Sequence, residues 1–336
     1  MKIILFIIFS SFIFSCNSAQ QTSSSKNPNV TYANTITAQD LKKHLYIYAG
    51  DEMEGRMTGS KGQKMASEYL RNFYVDEGIG SPLEKNEYYQ NIPASFFEGR
   101  KDAQASENIV AFIKGSEKPD EIIIISAHLD HVGTDKDGNV FNGADDDGSG
   151  TVSILEIAQA FQQAVKDGNG PKRSILFLHV TGEEIGLFGS RYYVENPIFP
   201  LDNTVCNLNI DMIGRIDPEK KDNPNYIYLI GSNKLSQELQ DVSAEMNNKY
   251  TNLELDYKYD DPDDPNRFYY RSDHYNFAKN NIPIIFYFNG VHEDYHKITD
   301  TPDKIEYDLM AKRAQLIFYT AWEIANRDNR IALDKT

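Results

Sequence analysis

Between residues 109 and 288 the apolar residues fall into short unbroken runs, several of them followed by a stretch rich in acids, histidine or glycine. Ile109-Val110-Ala111-Phe112-Ile113 and Ile122-Ile123-Ile124-Ile125 offer no polar position to turn towards water, the pattern of strands covered on both faces. Comparable runs at 175–180, 205–210, 226–230 and 284–288 predict four more strands. Between the runs the period lengthens. Val152, Ile157, Phe161 and Val165 within 149–166 fit a helix, as do Met65, Tyr69 and Phe73 within 61–77. Thr37-Ala38-Gln39-Asp40 ahead of Leu41, Leu45 and Tyr48 reads as a capped helix start. A further helix is expected after Gly186, and a closing one over roughly 307–326. Strands alternating with helices predict an α/β fold, a single-domain α/β/α sandwich around a mixed, largely parallel central sheet. No Pro/Gly-rich linker divides residues 30–336, which are therefore expected to form one domain.

The N-terminus follows a different pattern. After Lys2 the run 3–14 is apolar except for Ser10 and Ser11. Its length falls short of the roughly 20 residues that a spanning helix needs. One positive charge, a short apolar stretch and then small residues is the layout of a secretory signal. Ile13-Phe14-Ser15-Cys16 looks like a bacterial lipobox, so a signal peptide over 1–15 and lipidation of Cys16 are expected. This predicts an exported lipoprotein, membrane-attached through that lipid alone and facing the periplasm or the cell surface. A plain signal cut near Ala19 and a retained anchor are the alternatives. Residues 16–29, rich in Ser, Asn and Gln, read as a flexible tether. Cys206, next to Val205, is then expected to be an unpaired core thiol. With 34 Lys and Arg against 50 Asp and Glu, the net charge of -16 speaks against a nucleic-acid partner.

Five polar segments fall where strands end, the place at which open α/β sheets bind ligands. They are Ser126-Ala127-His128-Leu129-Asp130-His131, the turn from Asn142 to Gly150 with Asp145-Asp146-Asp147, Thr181-Gly182-Glu183-Glu184, Asp211-Met212-Ile213-Gly214-Arg215, and Asp294-Tyr295-His296. So many carboxylates on one rim cannot all stay ionised without a counter-charge. Divalent cations supply one, and a mixture of His with Asp and Glu suits zinc better than calcium or magnesium.

His128-x-Asp130, Gly143-Ala-x-Asp146-x-x-Ser149-Gly150, Gly182-Glu183-Glu184-x-Gly186-Leu187, Asp211-Met-Ile-Gly-Arg215 and Tyr295-His296 follow one another along residues 128–296. In this order they resemble the di-zinc exopeptidase family of bacterial leucyl aminopeptidases and glutamate carboxypeptidase II, with glutaminyl cyclase a divergent relative. Asp51-Glu52-Met53-Glu54-Gly55-Arg56 and Thr58-Gly59-Ser60 also resemble a segment near the start of such peptidases.

The resemblance implies two Zn2+ per chain, with Mn2+ or Co2+ as possible substitutes. One cation would be held by His128 and Asp211 and the other by Glu184 and His296, with Asp146 bridging them at a separation of about 3.5 Å around a shared water or hydroxide. The family register selects Asp146 over Asp145, which is expected in a solvated turn, and implies a cis peptide between Asp146 and Asp147. Asp130 would accept the other ring N–H of His128. Glu183 would act as general base and Tyr295 would face the oxyanion. Arg215 would steady substrate or a nearby carboxylate. Arg271-Ser272-Asp273-His274 resembles a further family element, in which Asp273 and His274 are expected to be structural, with substrate contact by Asp273 the alternative. His44, His131, His179 and His292 receive no role, and Asp260-Asp261-Pro262-Asp263-Asp264 reads as a solvated loop.

The expected activity is therefore metal-dependent hydrolysis of the N-terminal bond of peptide substrates. A glutaminyl cyclase-like acyltransferase is the alternative, disfavoured by Ser149-Gly150 and by Tyr295 ahead of His296. A non-catalytic relative is disfavoured by the complete ligand set and Glu183. Between Tyr88 and Asn108 there is no room for a large inserted domain, so an open cleft is expected.

Overall fold

A computed structural model describes residues 27–97, 99–100 and 104–335. The expected signal segment, Cys16 and most of the tether lie outside the described residues. The apolar runs form one eight-stranded sheet. Its strands are β1 (Tyr89–Ile92), β2 (Ser106–Ile113), β3 (Lys118–His128), β4 (Arg173–Val180), β5 (Thr204–Ile210), β6 (Tyr226–Ile230), β7 (Glu254–Asp256) and β8 (Ile284–Phe288). Across the sheet they lie in the order β1-β2-β4-β3-β5-β8-β6-β7. β4, β3, β5 and β8 form a parallel block, and β2 and β6 flank it in antiparallel pairs. The four parallel strands thus finish at one edge of the sheet.

The helices are α1 (Pro28–Ala33), α2 (Ala38–Tyr48), α3 (Lys61–Glu77), α4 (Gly150–Lys166), α5 (Phe188–Glu195), α6 (Gln237–Met246), α7 (His274–Ala278) and α8 (Tyr307–Asn326). The isoleucine run of β3 shows how the layers form. Ile123 and Ile125 pack into the core shared with α2, α3, α4, α6 and α8, while Ile122 and Ile124 point through the opposite face towards α5 and α7. All four are fully buried, and each contributes roughly 1.5–3 kcal/mol of apolar transfer energy. A strand of this kind needs helices on both sides, which is the expected sandwich.

Local signals set several boundaries. Thr37 caps α2 by accepting from the Asp40 amide at 3.1 Å. Ser60 caps α3 in the same way, and Gly78, with φ +71°, ends it in the left-handed conformation that a Cβ disfavours. The edge strands β1 and β7 and helix α6 go beyond the elements read from the sequence. β1 and β7 are short and polar, because an edge strand has only one covered side. Cys206 is buried and unpaired in the core, where burial pushes its thiol up to about 12. No helix among the described residues is long and apolar enough to cross a membrane.

Candidate metal centre

His128 is the last residue of β3, and Asp211 follows the last residue of β5 directly. Glu184 lies in the turn after β4, Asp146 in the turn before α4, and His296 in the loop beyond β8. The common edge of the parallel block brings the five together. His128 Nε2 lies 3.1 Å from Asp146 Oδ1 and 3.7 Å from Asp211 Oδ1. His296 Nε2 lies 2.9 Å from Asp146 Oδ2 and 3.1 Å from Glu184 Oε2. Asp146 therefore turns one oxygen to each imidazole.

These contacts are not ordinary hydrogen bonds. Asp146 Oδ2 is buried and accepts none, despite the ring nitrogen beside it. His128 Nδ1 donates to the Asp130 carbonyl at 3.0 Å, which turns Nε2 towards two carboxylates. Lone pairs converge in this way around a cation. Ligand atoms about 2.0–2.1 Å from a tetrahedral zinc lie about 3.3 Å apart, close to the spacings seen here. The donor set of two imidazoles and three carboxylates fits such a metal.

The electrostatics agree. Burial alone would raise Asp146, but His128, His296 and His131 hold its carboxyl well below the usual range. Burial disfavours charge on His296, yet Asp146 and Glu184 outweigh it and push the ring up to about 10. The cluster is strongly negative and draws positive charge to its centre. Glu183 responds differently. Burial, reinforced by Asp211, Glu184 and Asp273, raises its carboxyl well above the usual value.

The flanking acids have other partners. His128, Asp147 and Asp211 also come close enough for a shared cation. Asp147, however, already accepts from the His128, Gly150 and Met212 amides at 2.9–3.1 Å, so its lone pairs are engaged. Its role is to tie β3, β5 and the start of α4 together. A Cβ on Gly150 would collide with that carboxylate and with the Ile210 carbonyl, so the close approach requires glycine. The peptide between Asp146 and Asp147 is cis. Asp145 departs from the expected solvated turn. It is fully buried, accepts from the Gly214 amide at 2.6 Å and from Ser149 Oγ at 3.0 Å, and pairs with His292 Nε2 at 3.1 Å.

Several supporting residues lacked a role in the sequence reading. Buried Asp300 accepts from the Asp145 and Asp146 amides at 3.0–3.2 Å. Arg56, also buried, donates to the Asn142 and Gly143 carbonyls at 2.8 and 2.9 Å, so the early acidic segment clamps the turn that carries Asp146. His131, read as a bystander, hydrogen-bonds Glu184 Oε1 through Nδ1 at 2.7 Å. His292 is likewise part of the network through Asp145. A histidine two or three residues from a motif gives no sequence signal of its direction, whereas the fold sets it.

Asp130 also differs from expectation. Its main-chain carbonyl, not its carboxylate, receives the His128 N–H, and the nearest carboxylate oxygen is 3.9 Å away. That carboxylate accepts from Thr58 Oγ1 at 2.7 Å and from the Glu183 amide at 3.2 Å, and so fixes the turn bearing Glu183. Ser272 Oγ donates to Asp211 Oδ2 at 2.6 Å. Asp273 is fully buried and accepts from Ser190 Oγ at 2.5 Å. Burial pushes its carboxyl up to about 7. Arg215 pairs with Asp294 at 2.9 Å, so of its two expected partners the nearby carboxylate is the one engaged. His179 is a core residue bonded to the Tyr74 hydroxyl at 2.7 Å, as expected. His44, on α2, is bonded to the Tyr69 hydroxyl and pairs with Glu156.

A small cleft, open to solvent, lies beside the cluster. Asp146, Glu183 and Asp211 line it together with Tyr295, which is stacked on His296 at 4.0 Å between ring centres. Met212, Phe268, Phe286, Phe288 and Val291 make the remainder apolar, with Arg271 at its edge.

Comparison with known proteins adds an independent line. The chain is 32% identical over 205 residues to a probable leucine aminopeptidase 2 of Aspergillus oryzae, covering 57% of this chain and 35% of that protein. It spans half or less of the length of several curated relatives that it matches. Among solved structures, the LapA aminopeptidase of Legionella pneumophila superposes with a TM-score of 0.67 at 19% identity, over 90% of this chain and 75% of that one. A glutaminyl cyclase of Bacteroides thetaiotaomicron gives 0.63 at 17% identity, over 85% of this chain and 98% of that one. At such identities the likeness concerns the fold and does not separate the two chemistries. Residues 108–321 match the family Peptidase family M28, and this segment carries every carboxylate and imidazole of the cluster. The chain belongs to peptidase family M28.

Proposed function

We propose that this protein is a metal-dependent aminopeptidase that holds two divalent cations, zinc first among them, and releases the first residue of peptides. The observation that carries the reading is Asp146, whose two oxygens each face a different imidazole without hydrogen-bond geometry. His128 and Asp211 would hold one cation, Glu184 and His296 the other, and Asp146 both. Manganese or cobalt would suit the same donors. When bound, the cations supply Lewis-acid polarisation of the scissile carbonyl and of the attacking water.

The chain's own groups do the rest. Glu183 stands on the cavity wall without coordinating, its amide anchored by Asp130. Its carboxylate takes the water proton as the oxygen bonds to the carbonyl carbon, and returns it to the amine nitrogen as the C–N bond breaks. The Tyr295 hydroxyl, in the same cavity, donates to the oxyanion. The acidic rim receives the substrate's free amine.

The same reading places the enzyme outside the cytoplasm on a lipid at Cys16, supported by the lipobox-like run ahead of it. Offering purified protein aminoacyl, blocked-amine and N-terminal glutaminyl peptides tests the activity. Release of a free amino acid from the first set supports an aminopeptidase. Cleavage of blocked peptides alone, or ammonia loss with ring closure, would overturn it.

A further inference from the structure

Arg271 lines this cavity and is exposed to solvent there. Arg215 is paired with Asp294, Arg56 donates to the Asn142 and Gly143 carbonyls, and buried Arg313 donates to the Ile213 and Arg215 carbonyls at 2.8 and 2.7 Å. Arg271 makes no ion pair and no side-chain hydrogen bond among the described residues. Its guanidinium lies 5.0 Å from the centre of the Phe268 ring, which holds it against the wall of the cavity beside the metal centre. The acidic residues Asp146, Glu183 and Asp211 line the same cavity, yet none of them neutralises it.

An arginine that shares a cavity with three carboxylates and pairs with none has its fork free for another anion. Its geometry favours two parallel hydrogen bonds to a carboxylate. The same cavity is lined by Phe268, Phe286, Phe288 and Val291, apolar surface that suits a methylene stem. Resting on the aminopeptidase reading above, we propose that Arg271 is a specificity-determining residue that pairs with a carboxylate of the substrate, most directly the side chain of an N-terminal glutamate. The amine of such a residue meets the acidic rim, its methylenes lie along the phenylalanines, and its carboxylate reaches Arg271. The net charge of -16 repels acidic peptides at long range, so the preference has to come from this local contact.

A carboxylate could also come from the C-terminus of a dipeptide, and two internal ratios separate the sources. For the full enzyme, kcat/KM is measured on glutamyl and glutaminyl p-nitroanilides, and on Leu-Gly against leucyl-glycinamide. The glutamyl over glutaminyl ratio should be about tenfold or more. Arg271→Met should bring it within twofold of one, and Arg271→Lys should keep part of it. Because each ratio is taken within one preparation, loss of folded enzyme does not move it. A large Leu-Gly ratio that collapses in Arg271→Met would instead assign the contact to the C-terminal carboxylate. Wild-type ratios both below twofold, or ratios that Arg271→Met leaves in place, overturn the proposal. Calorimetric binding of free glutamate against glutamine gives the same test without turnover. Failure to cleave any aminoacyl substrate therefore sinks the aminopeptidase reading, while the binding ratio still decides Arg271.

Discussion

His128 ends a buried strand and its side chain is 1% exposed, whereas His296 sits in a loop with its side chain 37% exposed. The two imidazoles face the same carboxylate, but they are held by different means. His128 is fixed through Nδ1 by the Asp130 carbonyl, and its companion Asp211 by Ser272, which in turn accepts from Asn209 on β5. His296 adopts a left-handed backbone with φ +55°, a conformation uncommon outside glycine. Its loop is braced by Asp294, which takes Thr299, Lys304 and Arg215 at 2.6–2.9 Å. Glu184, its companion, is oriented by His131. One half is thus built on the ends of core strands and the other on loops. Ligands held by packed elements lose less on binding, so the strand half should grip a cation more tightly than the loop half.

Substitution tests the contrast, beginning with the residue common to both halves. Asp146→Asn should reduce bound metal well below that of the parent in elemental analysis and leave activity at background, whereas a fully loaded variant would remove Asp146 from the centre. Glu183→Gln should keep the metal of both halves while turnover falls about 10²–10⁴-fold in steady-state kinetics. His128→Ala and His296→Ala compare the halves directly. The first removes a buried, hydrogen-bonded ring and should cost roughly 1–3 kcal/mol in urea unfolding besides metal. The second should lose metal with little change in unfolding midpoint, and equal destabilisation by both would erase the distinction.

The smallest effect concerns the scaffold of the strand half. His179 on β4 is paired in register with Ala127, next to His128, and burial drives its ring down to about 3. The unfolded chain takes up that proton near pH 6.5 and the folded chain does not. This contribution is therefore complete above pH 6.5 and is lost as pH falls towards 3. From pH 6.5 to 5.0 the loss should be about 2 kcal/mol, and His179→Gln should flatten the slope in unfolding measured at both pH values.

How far the sequence carries differs between the same two halves. Unbroken apolar runs followed by His128 or Asp211 are legible because strand, strand end and polar residue are contiguous. The family pattern likewise picks out Asp146, Glu184 and His296, which the fold brings together. What stayed hidden is the support. Asp300 and Arg56 act on the Asp146 turn from 154 and 87 or fewer positions away, and no local pattern encodes such contacts. Asp145 looks like part of a solvated turn because three adjacent acids normally seek water, yet it is buried and accepts from the Gly214 amide and Ser149 Oγ. At Asp130 the contact runs through the main-chain carbonyl and not the expected carboxylate, since spacing alone does not distinguish the two. Arg271 was visible as a residue but not as a cavity wall, which depends on how the segment before α7 packs over β8.

Anomalous diffraction at the zinc absorption edge, on crystals of the metal-loaded protein, bears most directly on Asp146 as the link between two cation positions. Two peaks are expected, one beside His128 and Asp211 and one beside His296 and Glu184, each in contact with a different oxygen of Asp146 and the second the weaker. A single peak, or one centred on Asp147 with Asp146 unliganded, would contradict it.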